Sequence, residues 1–186
     1  YFSGWEHRIR KWYHPPDAVS RKVSDAISRL PCSPADMVAV HIRLGDYRLQ
    51  GGRYADPRNG WVLSRDYYEA ALSVFPEKTP IALFSDEASD AISLLPRAPG
   101  WISHGNDALT DLFLMGAFPK IVIANSSFSW WAAWLNQPIS QSANQPISQS
   151  ANQPINKIVV APKYHAGRHL GCWFPKDISV DGWSYV

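Results

Sequence analysis

Short apolar runs alternate with amphipathic stretches along most of this chain. The apolar runs are short, rich in β-branched residues and bounded by polar or turn residues, so they predict buried strands at 37–43, 81–84, 101–103, 120–124 and 157–161. Between them, apolar positions recur at helical spacing and predict helices at 17–30, 64–75, 86–95, 107–118 and 128–135. This alternation indicates an α/β fold with a doubly wound parallel sheet.

The composition is that of a globular domain. The chain has 186 residues, of which 46% are apolar, and a mean hydropathy of -0.23, which together indicate one domain with a buried core. The net charge of +2 does not favour nucleic acid as a partner, because nucleic acid usually recruits a dense basic face. Arg8, Arg10 and Lys11 are interpreted as part of a solvated face, with a peripheral membrane contact as the alternative.

Two features bear on how the chain is organised. The unit NQPISQSA occupies 136–143 and is repeated at 144–151, so we interpret 136–151 as a tandem insertion in a surface loop, with a partner-binding arm as the alternative. We divide the chain into a connecting helical segment, 1–36, and an α/β domain, 37–186, that carries the insertion.

Cys32 and Cys172 favour two free thiols, and one long-range disulfide is the alternative.

Polar and ionisable side chains follow each predicted strand. In a parallel sheet the carboxyl ends of the strands share one edge, and ligands bind beyond it. Loops are polar in most proteins, so this pattern also fits a sheet without a site, but we favour the site. The candidate residues at or near these ends are His41, Arg43, Asp46, Ser85, Asp86, Asp107, Asn125, Ser126 and Ser127.

The segment from His41 to Tyr47, which reads HIRLGDY, is the first candidate site. His41 and Arg43 lie two apart on a strand and project from the same face. The guanidinium of Arg43 suits a diphosphate because it binds two oxygens at once, and Gly45 allows a tight turn and the close approach of a ligand. Asp46 could orient either side chain or accept a proton. The alternative is an Arg43–Asp46 ion pair beside a packed His41.

Two further segments supply candidate ligands. Asn125, Ser126 and Ser127 stand at a helix start, where unpaired N–H groups and the helix dipole bind anions, and an N-cap role is compatible with that. Ser85 and Asp86 could contact a base or a ribose, or cap the next helix. The six histidines show no metal-ligand spacing and no Asp-x-Asp occurs, so we expect no metal and no other cofactor.

Three motifs in this order resemble those of the α-1,2-fucosyltransferases, glycosyltransferase family 11. They are VHIRLGDY at 40–47, FSDE at 84–87, and DLFLM at 111–115 followed by ANSSFSWWAAWL at 124–135. The resemblance implies a GT-B-like nucleotide-sugar-binding domain at 37–186 with GDP-β-L-fucose as donor. It also implies galactoside 2-alpha-L-fucosyltransferase activity, in which fucose moves with inversion to the 2-hydroxyl of a terminal galactoside without a metal.

The resemblance also implies roles for single residues. Arg43 and His41 would hold the donor diphosphate, and Asp46 would act as a base or an orienting group. The remaining candidates would bind the rest of the donor: Ser126 and Ser127 near the diphosphate, Asp86 and the segment near Asp107 at the nucleoside, with Ser85 and Asn125 beside them. The family resemblance places such a protein in the cytoplasm or at the membrane periphery of a bacterium, or in the Golgi membrane, facing the lumen, of an animal.

The sequence departs from the family pattern at several positions. Leu44 stands where the family has a second Arg, and Glu87 stands where it has a second Asp. The family's Gly-Leu-Gly-Asn-Gln segment does not occur in this sequence, so we expect the chain to be a fragment whose N-terminal partner domain is missing. The alternatives are an inactive fragment or non-catalytic nucleotide-sugar-binding domain, and another GDP-fucose-dependent fucosyltransferase.

Overall fold

A six-stranded parallel sheet forms the centre of the fold. The computed structural model describes residues 2, 4–49, 51–53, 55–135 and 157–186, and the predicted insertion at 136–151 lies outside them. The strands are β1 (Val38–Ile42), β2 (Ile81–Ser85), β3 (Trp101–Ile102), β4 (Lys120–Val122), β5 (Ile158–Ala161) and β6 (Ser184–Tyr185). They are ordered β3-β2-β1-β4-β5-β6, and each neighbouring pair is parallel.

Helices cover both faces of this sheet. They are α1 (Glu6–Trp12), α2 (Asp17–Ser28), α3 (Arg65–Leu72), α4 (Ala88–Ala91), α5 (Ala108–Gly116) and α6 (Ser127–Leu135). Side chains alternate along β1 between two apolar cores. Ala39 lies in the core formed with α2, α5 and α6, whereas Val38 and Val40 lie in the core formed with α3. Two cores on opposite faces confirm the predicted doubly wound α/β fold. None of the described helices combines the length and the apolar character needed to cross a bilayer.

Three elements differ from those predicted. Neither α1, which lies within the predicted helical segment 1–36, nor β6 was delimited from the sequence, because neither stretch shows a clear hydrophobic period. The helix predicted at 86–95 is instead the short α4 followed by a 3₁₀ turn at Ile92–Leu94. Ser85 Oγ accepts a hydrogen bond from the backbone N–H of Glu87 at 3.1 Å. This bond holds a turn at the end of β2 and delays the helix start to Ala88.

The strand order places a crevice at the carboxyl ends of β1 and β4. The chain adds β2 and β3 on one side of β1, then crosses to the other side for β4, β5 and β6. At such a reversal, the connections after the two central strands turn to opposite faces of the sheet, and ligands bind between them. The fold therefore brings the segment that follows β1 and the segment that follows β4 to the position where a ligand is expected.

Candidate active site

The strand register brings candidate residues from three strands to one level. Ile42 pairs with Ser85, so Arg43 and Asp86 follow at the next position. The register of β1 with β4 likewise places Asn125 level with Arg43. The residues that follow β2, β1 and β4 therefore form a row along the carboxyl edge of the sheet.

Arg43 is held by two carboxylates and an aromatic ring. Its Nε and Nη2 donate to Asp46 Oδ1 at 3.0 and 2.7 Å. Its Nη1 lies 3.3 Å from Asp86 Oδ2, and its guanidinium lies 5.7 Å from the centre of the Tyr47 ring. The ion pair that sequence reasoning kept as an alternative is therefore present. It also fixes the guanidinium at the crevice, because a charged donor with two charged acceptors forms short, strong hydrogen bonds.

Asp86 joins the end of β2 to the segment after β1. Its Oδ1 accepts a hydrogen bond from the backbone N–H of Leu44 at 3.0 Å, and its Oδ2 faces the Arg43 guanidinium. A Cβ atom at Gly45 would lie 2.5 Å from that Oδ2. The absence of a side chain at Gly45 therefore makes room for the carboxylate of Asp86, which sequence reasoning had not identified as the group that approaches it.

Gly45→Ala is expected to lower the free energy of unfolding by about 1–3 kcal/mol, because the added methyl displaces Asp86 and leaves the Leu44 N–H without its acceptor. Urea denaturation measures the change. Gly100→Ala is the matched control, since its Cβ would meet Pro80 at an ordinary 3.4 Å. In an Asp86→Ala background, Gly45→Ala should cost little further, and full additivity of the two changes would contradict this explanation.

Tyr47 and Asn125 tie the two sides of the crevice together. The Tyr47 hydroxyl donates to the backbone carbonyl of Asn125 at 3.2 Å, and Asn125 Nδ2 donates to the backbone carbonyl of Trp61 at 2.9 Å. Burial raises the pKa of Tyr47, and a side-chain hydrogen bond with Ser126 opposes that rise. These bonds set the distance between the segment after β1 and the start of α6. Sequence reasoning missed Tyr47 and Trp61 as site residues, although Tyr47 ends the first motif.

The start of α6 supplies hydroxyls and backbone N–H groups to the same edge. Ser126 is buried and Ser127 is exposed. The Ser126 carbonyl accepts from the Trp130 N–H at 3.0 Å and from Ser129 Oγ at 3.3 Å, which fixes the first turn. The first N–H groups of a helix have no partner within that helix and carry partial positive charge. This helix start can therefore bind an anion placed beside Arg43.

His41 is a neutral group beneath the site. Only 5% of its surface is exposed, and its ring centre lies 5.3 Å from that of Phe128. Burial lowers the pKa of His41 to about 4; the nearby Asp86 charge opposes this shift and Arg43 adds to it. Its Nδ1 has no hydrogen-bond partner within the described residues. At neutral pH, His41 can therefore offer a bound anion an N–H donor but no positive charge.

The free energy of unfolding is expected to decrease as the pH falls from about 6.5 to about 4. In this range the unfolded chain binds a proton on His41 while the folded chain does not, since the folded pKa is about 4 against 6.5 when unperturbed. His165, whose pKa burial also lowers to about 4, contributes in the same range. Urea denaturation at several pH values should show a shallower loss for His41→Gln. The exposed His14→Gln is the control, and identical pH slopes for parent and His41→Gln would contradict the prediction.

Ser85 and Asp107 both accept hydrogen bonds from backbone N–H groups close to a helix start. Ser85 holds the turn described above, and Asp107 caps α5 by accepting from the Thr110 backbone N–H at 2.8 Å. Asp107 also accepts from Lys22 Nζ at 2.7 Å, and this hydrogen bond is the largest cause of its lowered pKa. Asp107 follows β3, and β2 lies between β3 and β1. Among the residues that the structure describes, the hydrogen bonds of Asp107 connect α5 to α2, and none of them reaches the cluster around Arg43.

A second arginine extends the charged cluster. Arg48 Nη1 lies 2.8 Å from Glu87 Oε2, and its Nη2 lies 2.7 Å from Asp90 Oδ2. These contacts fasten the 3₁₀ turn at Gly45–Arg48 to the start of α4. Sequence reasoning did not select Arg48 or Asp90, because their separation of 42 positions has no recognisable spacing signal. Within the described residues, no three His, Cys, Asp or Glu side chains are grouped closely enough to hold a metal ion.

Comparison with known proteins identifies the family. A sequence model described as Glycosyl transferase family 11 matches residues 1–152. The O-antigen biosynthesis glycosyltransferase WbnK of Escherichia coli is 35% identical over 160 residues, which cover 82% of this chain and 45% of that protein. An alpha-1,2-colitosyltransferase of Escherichia coli is 29% identical over 153 residues, which cover 73% of this chain and 47% of that protein. The chain thus spans about half the length of these curated relatives, and no solved structure matches it significantly. Because the family match covers most of its residues, the chain belongs to glycosyl transferase family 11.

Proposed function

We propose that this chain carries the donor site of a glycosyltransferase that moves L-fucose from GDP-fucose to the 2-hydroxyl of a terminal galactoside with inversion. Membership of the family supports glycosyl transfer from a nucleotide sugar to a glycan. The observation that carries the site is that Arg43 after β1 and the start of α6 after β4 lie at the same edge of the sheet, where the Tyr47 hydroxyl donates to the Asn125 carbonyl. The resemblance of the three motifs to α-1,2-fucosyltransferases supports fucose as the sugar and a galactoside as the acceptor.

In this proposal, the crevice stabilises the departing nucleoside diphosphate. Negative charge develops on the phosphate oxygen as its bond to the anomeric carbon breaks, so donors aimed at that oxygen lower the barrier. Arg43 supplies a fixed positive charge, while Ser126, Ser127 and the N–H groups that begin α6 supply hydrogen bonds. His41 adds a neutral N–H donor. Ser85, Asp86 and Asn125 complete the edge by holding the segments that carry these groups.

Asp46 is the proposed base of the reaction. It accepts the proton of the acceptor 2-hydroxyl as that oxygen forms a bond to the anomeric carbon of fucose. The bond from that carbon to the diphosphate breaks with its electron pair leaving on GDP. Attack opposite to the leaving group accounts for inversion. No metal is part of this proposal, because Arg43 and the helix start meet the charge of the diphosphate.

Transfer of a different sugar in the same linkage is the second candidate. One relative is named an alpha-1,2-colitosyltransferase, which supports an α-1,2 transfer while leaving fucose and colitose as alternatives. A nucleotide-sugar-binding domain without activity is the third candidate, since the chain spans about half the length of its relatives. Its donor site would then need the remaining half for catalysis.

The proposal is tested with the purified chain, first by calorimetric binding of GDP, UDP and GDP-fucose in the presence of EDTA. GDP and GDP-fucose should bind and UDP should bind more weakly. Transfer is then assayed with GDP-fucose or GDP-colitose and a galactoside acceptor, and the linkage of the product is determined by NMR. Equal binding of GDP and UDP would contradict a GDP-sugar site, and faster turnover of GDP-colitose would favour the second candidate. Binding without transfer would favour the third.

A further inference from the structure

Asp46 binds the Nε–Nη2 edge of the Arg43 guanidinium, through which an anion would otherwise bind. Its Oδ1 accepts from Nε at 3.0 Å and from Nη2 at 2.7 Å, and these two N–H groups form an edge with which a guanidinium grips two oxygens. A diphosphate has to displace the carboxylate before it can bind through that edge. We propose that Asp46 is an exchangeable counter-ion, replaced on Arg43 by the donor diphosphate and thereby released to act as the base. This inference rests on the proposed function.

The two carboxylates beside Arg43 differ in how firmly they are held. Asp86 is 23% exposed and also accepts from the Leu44 backbone N–H, so it is anchored to the sheet. Asp46 is 53% exposed and lies on the 3₁₀ turn at Gly45–Arg48. Within the described part of the chain, its ion pair with Arg43 is its one salt bridge. Displacement therefore selects Asp46, while Asp86 continues to orient the guanidinium.

The balance of charge also favours an exchange over simple addition of the ligand. Arg43 is paired with two carboxylates, so this three-residue cluster carries net negative charge before any ligand binds. A diphosphate brought to the cluster is repelled by the carboxylate that stands nearest to its oxygens. Release of Asp46 toward solvent removes that repulsion and leaves the guanidinium edge open. An exposed ion pair of this kind is weak enough to be displaced by a multiply charged ligand.

The exchange ties the availability of the base to the presence of the donor. While Asp46 Oδ1 accepts two hydrogen bonds from Arg43, the guanidinium holds the carboxylate in place and only Oδ2 is left to take the proton of an acceptor hydroxyl. Once phosphate oxygens replace Asp46 on Arg43, its carboxylate is free to act as a base. It then lies three residues along the chain from the guanidinium that holds the leaving group. The predicted order is donor first and acceptor second.

The test compares GDP binding by calorimetry in the parent chain, Asp46→Asn, Asp46→Ala and Asp90→Asn. Asp90 is the matched control because it is 55% exposed and pairs with Arg48 and not with Arg43. Loss of an exposed ion pair should tighten GDP binding by about two- to fivefold in both Asp46 variants. Asp90→Asn should bind as the parent does. In the transfer assay, the Asp46 variants should lower kcat by about 10²–10⁴-fold without a rise in the donor KM.

Tighter GDP binding in both Asp46 variants supports the exchange, as does binding by these variants when the parent binds no GDP. If the parent binds GDP and Asp46→Ala binds equally or more weakly, the exchange is overturned while the donor-site proposal stands. If neither the parent nor an Asp46 variant binds GDP, both proposals are overturned. Urea denaturation of each variant shows whether it is folded, and two different substitutions guard against a local effect of either.

Discussion

Arg43→Ala is expected to lower kcat/KM for glycosyl transfer by about 10²–10³-fold, the usual loss when one donor to a developing oxyanion is removed. The guanidinium follows β1 and is paired with Asp46 and Asp86 at the carboxyl edge of the sheet. The affinity of Arg43→Ala for GDP should also fall, because Arg43 is proposed to bind the diphosphate of GDP. Calorimetry and initial rates measured on the same preparation separate the loss of binding from the loss of turnover.

Two further variants make this prediction specific to the guanidinium. Arg43→Lys keeps the charge but loses the planar pair of donors, so its activity should lie between those of the parent and Arg43→Ala. Arg65→Ala is the control, since Arg65 pairs with Glu69 on α3 at 2.7 Å. Full activity in Arg43→Lys would show that charge alone is required, and full activity in Arg43→Ala would remove Arg43 from the donor site.

Trp130→Ala should lower the free energy of unfolding by about 3–5 kcal/mol, the range found when a large buried aromatic side chain is truncated. Trp130 is 4% exposed and stacks on Trp134 with 5.9 Å between ring centres. Its Nε1 donates to the backbone carbonyl of Ile178 at 2.9 Å, which links α6 to the segment before β6. Truncation therefore opens a cavity and also leaves that carbonyl without its donor. Urea denaturation monitored by far-UV circular dichroism measures the loss.

The chain offers a matched control for this truncation. Trp12 is 68% exposed, so Trp12→Ala should change the free energy of unfolding by less than about 0.5 kcal/mol. Trp130→Phe should fall between the two, because it keeps most of the buried area but loses the hydrogen bond. Equal effects of Trp12→Ala and Trp130→Ala would contradict the assignment of Trp130 to the core.

The sequence predicted the strands β1 to β5, because short apolar runs bounded by polar or turn residues are a strong local signal. It did not predict β6, a two-residue strand at Ser184–Tyr185, whose pairing with β5 depends on contacts far away in the chain. The helix start at Asp107 was placed within one residue because an N-cap aspartate is itself a local signal. Elements that carry a local sequence signal were therefore predicted, whereas β6, which forms through tertiary contacts, was missed.

Much of the candidate site could be placed from the sequence, but the partners of each side chain could not. That residues after β1, β2 and β4 share an edge follows from the alternation of strands and helices. That Asp86 faces Gly45 and Arg43, or that Asp107 meets Lys22, depends on register and on side-chain rotamers. His41 shows the limit most clearly. The family resemblance implies that His41 holds the donor diphosphate, whereas its burial, which no local pattern reveals, leaves it neutral at physiological pH.

The strand order β3-β2-β1-β4-β5-β6 has a consequence for biosynthesis. A chain grows from its N-terminus, so β1 leaves the ribosome before the other strands of the sheet. β2 can then add to one edge of β1 and β3 to β2, after which β4, β5 and β6 extend the opposite side in turn. Each strand meets a pairing edge that already exists, and none has to insert between two strands that are already paired. Until β4 at Lys120–Val122 has been made, however, the second edge of β1 has no strand partner, and such an open edge is a template for pairing with another chain.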